Sequence, residues 1–159
     1  MQCVTFPWRG IARGEHGSAA VEFAVTSTVF FMALIGMMKV CLAIYTYHYV
    51  AEAAREGSRY AMVRGSSCSG FSSACPATSD NVQTYVRGLG YPGITSSLMT
   101  VPTTWATYPA GKPCTPSATC NNPSDLVSVN TSYAFPLALP FMTSKTLTMT
   151  STAVMVISQ

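Results

Sequence analysis

The chain has 159 residues, about one domain's worth, and only 9% of them are charged. Against the quarter or so of charged residues in an ordinary soluble domain, and with a positive mean hydropathy of +0.28, a simple soluble enzyme is disfavoured. The formal charge of +3 comes from scattered Arg and Lys rather than a block, so no basic stripe tracks a phosphate backbone and nucleic acid is not an expected partner.

Met1 to Gly17 read as a short polar leader, with Arg9, Arg13, Glu15 and His16 and no periodicity. From Ser18 the texture changes abruptly: Phe23 to Met38 carries no charge, and after a lone Lys39 the stretch Val40 to Ala51 stays apolar and aromatic. About 20 mostly apolar residues suffice to cross a bilayer. Lys39 sits late in the run, where it can bury its methylene stem and keep its ammonium wet. Tyr45, Tyr47, His48 and Tyr49 then read as an aromatic belt at the membrane surface. Helical periodicity continues beyond them, with Val50, Ala53, Ala54, Gly57 and Ala61 on one stripe and Glu52, Arg55, Glu56 and Arg59 on the other. A continuous helix from Ser18 to Val63 would be roughly 70 Å long, so its second half must lie outside the membrane.

Beyond Arg64 the chain turns to Gly, Ser, Thr and Pro, and Cys68 to Cys75 reads as a loop. Ser79 is expected to cap a short helix reaching Leu89. Ile94 to Val101 is a weak strand pattern, and Thr103 to Pro123 a Pro- and Thr-rich excursion. Two strands are much clearer. Val127, Val129, Thr131, Tyr133 and Phe135 alternate with small polar residues, and Leu147, Met149, Ser151, Ala153, Met155 and Ile157 alternate with threonines. The connection holding Pro136 and Pro140 makes an antiparallel pairing natural. The fold class expected is α+β: a long N-terminal membrane-spanning helix continuing into a small head with an antiparallel sheet. No internal repeat is present.

Six cysteines divide by position, with Cys3 near the start, Cys41 in the apolar run, and Cys68, Cys75, Cys114 and Cys120 in the polar remainder. The last four lack the close hooks of zinc sites, and disulfides in an oxidising compartment are the better reading. Four cysteines permit three connectivities; the local pairs Cys68 with Cys75 and Cys114 with Cys120 are favoured. No metal or other cofactor is expected.

The most informative segment is Gly17-Ser18-Ala19-Ala20-Val21-Glu22-Phe23, directly before the uncharged run. A carboxylate at the edge of a spanning helix costs a few kcal/mol unless paired, so Glu22 needs a reason. A glycine, four small or apolar residues, then Glu and an aromatic residue resemble the prepilin-peptidase site of tight-adherence pilins and pseudopilins. Ala53-Ala54-Arg55-Glu56-Gly57-Ser58-Arg59-Tyr60-Ala61 is similar to the A-A-R-E-G-A-R-Y-A stretch of TadE-like sequences. The Val/Thr alternation near the C-terminus, with its Pro-Leu-Ala-Leu-Pro connector, is similar in style. Residues 66–122 resemble nothing assignable.

The resemblance implies cleavage after Gly17, a mature chain beginning at Ser18, and Glu22 as its fifth residue, able to neutralise the new amine and to favour the positive end of the helix dipole. It implies three parts: a cleaved leader over 1–17, a transmembrane segment over 18–50, and an exported head over 51–159. The implied role is a minor pilin-like subunit of a tight-adherence type IV pilus, supporting assembly and surface adhesion. The implied partners are the bacterial inner membrane, a prepilin peptidase, other pilin subunits and the assembly machinery, with the head in the periplasm or outside the cell.

Three rivals are weighed. A cleaved secretory signal ending near Ala51-Glu52-Ala53 would need an apolar region far longer than the usual 7 to about 15 residues. An enzyme would have to be built from His16 and His48, with Asp80 and Asp125 the only acids beyond the long helix, and these assemble no recognisable acid/base, nucleophile or metal set. A membrane-tethered adhesin or sensor that never enters a filament is the remaining alternative. The positive-inside bias is weak, because Arg9 and Arg13 precede the span while Arg55, Arg59 and Arg64 follow it. Asn130-Thr131-Ser132 fits a glycosylation sequon inside an expected strand, which chance explains.

Overall fold

The computed structural model describes residues 16–69, 74–109, 111–114, 120–139 and 143–158. Most of the expected leader, with Cys3, Arg9 and Arg13, lies outside the described residues, as do 115–119 of the excursion and 140–142 of the strand connector. The chain divides into two compact units, Met1–Met37 and Met38–Gln159, and one helix, α1 (His16–Met62), contributes to both.

In the first unit the described residues are all helical, from His16 to Met37, a length of about 33 Å at ~1.5 Å per residue. No side chain among them is buried. The second unit is an α+β head. Beside the rest of α1 it contains α2 (Ser79–Gly88), a 3-10 turn at Ser96–Leu98, and strands β1 (Met99–Thr100), β2 (Thr103–Ala106), β3 (Pro113–Cys114), β4 (Leu126–Leu137) and β5 (Lys145–Val156). All pairings are antiparallel. Strand β4 is the centre: it pairs with β5 from Leu126↔Val156 to Leu137↔Lys145, and its other edge takes β1 and then β2, with β3 outside β2.

The alternation read in the sequence sets the faces. Val127, Val129, Thr131, Tyr133 and Phe135 are buried, while Thr148, Thr150 and Thr152 of β5 are exposed, so one sheet face is packed and the other solvated. Against the packed face lies the small-residue stripe of α1. Tyr49, Val50, Ala53 and Ala61 share a single core with Val82 and Val86 of α2, Met99, Trp105 and the inward residues of β4. Arg87 of α2 donates to the Met99 carbonyl through Nε at 3.1 Å and Nη2 at 2.7 Å, tying α2 to β1.

Several expectations need correction. The cap of α2 is Thr78, whose hydroxyl accepts from the Asn81 amide at 3.3 Å; Ser79 is the first helical residue. Ile94 to Val101 yields only a 3-10 turn and the two residues of β1. The Thr103 to Pro123 excursion contains β2 and β3, and Trp105 in β2 is among the largest fully buried side chains. Tyr49 does not join an aromatic belt: it is only 6% exposed and its ring meets Tyr91 at a 4.2 Å centroid distance. Hydropathy draws the start of the head at residue 51, whereas packing draws it earlier, because Thr46, Tyr49 and Val50 are already buried and Ala43 packs on the core.

Gly57 marks the closest approach of the layers. A methyl group there would stand 2.9 Å from Val86 Cγ2 and 3.1 Å from Val129 Cγ1, so α1 touches α2 and β4 through one bare Cα. Gly57→Ala gains about 1 kcal/mol of helix propensity but must displace two stiff β-branched side chains, an overpacking cost of roughly 1–3 kcal/mol. The expected net result is a fall of a few degrees in the thermal midpoint of the full chain in detergent. A rise would show that the layers have room.

Candidate processing and anchoring segment

The residues singled out at the start of the apolar run sit in the first two turns of α1. The chain is already helical at His16, the first residue described, so Gly17 and Ser18 belong to α1, and a Cβ on Gly17 would meet nothing within 4 Å. Gly17, Ser18 and Glu22 share one helix face with Val21, Val25 and Thr26. Phe23 looks elsewhere, onto the face of Thr26, Ser27, Phe30 and Phe31. All four singled-out residues are exposed, Phe23 by 74%. Counted from His16, the first residue described, Glu22 stands in the second turn of α1.

The segment suits a medium without water. An 18-residue window of α1 reaches a mean hydropathy of 2.0 with none of it buried, and among the described residues this is the one helix long and apolar enough to cross a membrane. Its few hydroxyls close on the helix itself. Thr26 Oγ1 donates to the Glu22 carbonyl at 2.9 Å, Ser27 Oγ to Ala24 at 3.0 Å and Thr28 Oγ1 to Ala24 at 2.8 Å. In hydrocarbon a free hydroxyl has no water to turn to, and bonding back to the preceding turn removes that cost. The Thr-Ser-Thr triplet inside an otherwise apolar run was the signal for this, and sequence reasoning passed over it.

The cysteine pairs occupy one corner of the head. Cys68 is joined to Cys75 with Cα atoms 6.0 Å apart, and Cys114 to Cys120 at 5.9 Å. The first loop is closed at its base by the Ala77 amide on the Arg64 carbonyl at 2.9 Å. Ser66 then ties it to the second, its amide donating to the Asn121 carbonyl at 2.6 Å and its hydroxyl to Asn122 Oδ1 at 2.9 Å. The two pairs are thus neighbours although some forty residues separate them in sequence. Cys41 is free and exposed.

The acids weighed for catalysis lie apart. Asp125 opens the turn into β4, where its carboxylate accepts from the Asn122 amide at 3.1 Å and the Tyr108 amide at 3.4 Å, while Asp80 lies in the first turn of α2. Thr131 of the sequon is fully buried, and Asn130 donates to Thr152 Oγ1 across the strands at 2.9 Å.

Residues 17–59 match the family of TadE-like proteins. This segment is TadE-like. The match begins at Gly17 and ends at Arg59, so it takes in the first motif, the apolar face of the first unit, all of the second motif but Tyr60 and Ala61, and the packed stripe of α1 as far as Gly57. It covers about a quarter of the chain and stops before the sheet, where the similarity of the paired strands rests on their pattern alone. No curated protein sequence and no solved structure matches the chain. In physical terms the TadE-like segment is a helix with bulky apolar residues in its first half and Ala, Gly and Ser at the packed positions of its second. Its exposed face carries Glu52–Arg55 and Glu56–Arg59 pairs at 3.5 and 3.0 Å, which at this exposure contribute little.

Each disulfide closes a loop of six or seven residues, for which chain entropy gives on the order of 2 to 3 kcal/mol. Peptide mapping of exported protein without reductant is expected to find both cross-links. The double change Cys114→Ser with Cys120→Ser is expected to lower stability by about that amount, read as an earlier unfolding transition. Four free thiols in exported protein would remove both the links and the argument for an oxidising compartment.

Proposed function

We propose that the chain is a minor pilin-like subunit of a tight-adherence pilus system. A prepilin peptidase removes the leader after Gly17, α1 holds the subunit as a single span in the bacterial inner membrane with the head on the far side, and packing against the helices of other pilin subunits draws it into or supports a filament. The observation that carries this reading is the apolar surface of α1 over its first unit, none of it buried, inside a TadE-like match that starts at Gly17. Such a surface is at rest in lipid and equally at rest against other apolar helices, so one segment serves both states.

The start of the helix fits the processing step. Gly17 is a poor helix former, which makes the first turn easy to open for a peptidase that needs extended backbone. Cleavage would create an amine on Ser18, one turn from Glu22 and on the same face. The amine and the carboxylate would neutralise each other, in one chain or between neighbours, at a depth where either charge alone is costly. The role is structural rather than catalytic. In support, Asp125 is engaged by backbone amides, and no constellation of acid and base was legible in the sequence.

Processing is tested by the mass of the mature chain, which is expected to begin at Ser18; Gly17→Leu should leave the precursor intact. Native protein beginning at Met1 in cells with an active peptidase would contradict the reading.

Assembly is tested separately. Glu22→Gln removes a charge and is expected to insert normally, while the amine left without its partner in a low-dielectric helix contact should block incorporation. Membrane pellets should hold normal amounts of processed Glu22→Gln protein and sheared surface filaments should lack it. If the variant enters filaments as the parent does, Glu22 is a solvated residue of an ordinary anchor. If the parent itself never co-fractionates with filaments, the membrane-tethered adhesin or sensor is the correct reading.

A further inference from the structure

One apolar concavity in the head belongs to none of the sites above. It is a groove of about 340 Å³ between α1 and the end of the β4–β5 hairpin where the connector joins the two strands. Val40, Ala43 and Ile44 form one wall, and Leu137, Leu147 and Met149 the other. Lys39 reaches it with its stem. Its residues are not waiting for the core: Leu147 is 47% exposed and Ile44 55%.

Two observations decide the occupant. The first is chain connectivity. The α1 wall begins at Val40, three residues after Met37, the last residue of the apolar first unit, so the groove cannot lie more than a few residues' reach from the surface of whatever bilayer that unit crosses. The second is charge. Lys145, Leu147 and Met149 occupy alternate positions of β5 and so share one strand face, and Lys145 pairs with Leu137 at the connector end of the hairpin. The groove therefore has Lys39 in its lining and Lys145 next along the strand face that supplies its floor. The acids of this unit are elsewhere: Asp125 stands at the opposite end of β4, Asp80 on α2, and Glu52 and Glu56 pair with Arg55 and Arg59. A helix of another copy would have to offer an anion here, and α1 has none between Glu22 and Glu52.

We propose that this groove seats an anionic phospholipid of the leaflet on the head's side, its acyl chain along the apolar walls and its phosphate at Lys39 and Lys145. Burial of the chain follows from the apolar area otherwise left in water, and the two lysines follow the rule that cations near a membrane surface draw anionic headgroups. The head thereby rests on the bilayer through a second contact besides its helix. The inference requires α1 to cross a membrane and is independent of whether the subunit enters a filament.

The experiment uses the full chain in vesicles of phosphatidylethanolamine and phosphatidylglycerol, with a trace of phosphatidylglycerol carrying a photoreactive diazirine on its acyl chain. After irradiation, mass spectrometry is expected to find lipid adducts on the Leu147–Met149 peptide as well as on residues 17–38 of α1. Leu147→Asp places a carboxylate in the apolar floor and should lower the head adducts about tenfold, leaving those on α1 unchanged. The milder pair Lys39→Gln with Lys145→Gln, both at partly or fully exposed positions, should remove the preference for this probe over its phosphatidylcholine counterpart. Adducts confined to residues before Lys39, head adducts indifferent to Leu147→Asp, or a photoreactive amino acid at position 147 cross-linking to protein instead of lipid would each overturn the proposal.

Discussion

An α-helix with apolar side chains on every side has no stable place in water, and α1 is such a helix over its first unit. Everything else in the chain answers that constraint. The backbone is satisfied within the helix, and the hydroxyls of Thr26, Ser27 and Thr28 fold back onto carbonyls one turn earlier. Glu22 is the only charge between Gly17 and Met38. Past Lys39 the same helix meets a different medium, and its side chains shrink accordingly. Phe30, Phe31, Leu34 and Met37 give way to Ala53, Ala54, Gly57 and Ala61, because a helix pressed between α2 and β4 needs small residues where a helix in lipid needs bulk.

That change of size explains why some features were legible and others not. The stripe of Val50, Ala53, Ala54, Gly57 and Ala61 was readable because helical spacing is a strong signal, and each of these residues is packed in the head. Strands β4 and β5 were readable because their inner and outer residues differ in kind along a dozen positions. By contrast β2 has four residues, of which only Thr103 and Trp105 point inward, and Pro102 separates them from the buried Val101. Trp105 alternating with two β-branched residues was the available signal, and the surrounding prolines and threonines hid it.

The overlap between the expected span over 18–50 and residues packed in the head has a related reason. Hydropathy cannot tell an apolar residue facing lipid from one facing a protein core, so Tyr49 and Val50 read as membrane residues although they are buried in the head. The aromatic run mixes both fates: Tyr45 and Tyr47 are exposed and Tyr49 is not. The segment around Glu22 stood out for the opposite reason, since a lone carboxylate before an uncharged run is conspicuous whatever the fold does.

Ile157 follows the last residue of β5 and is 1% exposed, and Ser158 donates through its amide to the Met62 carbonyl at the end of α1 at 3.1 Å, across 96 residues. The order of events during synthesis is thereby constrained. Since α1 and β5 each supply part of one core, the head cannot close while β5 is still being made; until Ser158 is in place, the stripe of α1 and the inner face of β4 stand open. Pairings this distant are slow to form, and such half-made intermediates are vulnerable to clumping. The two cysteine loops, each short enough to close locally, are the parts of the head that can become fixed before the rest is complete.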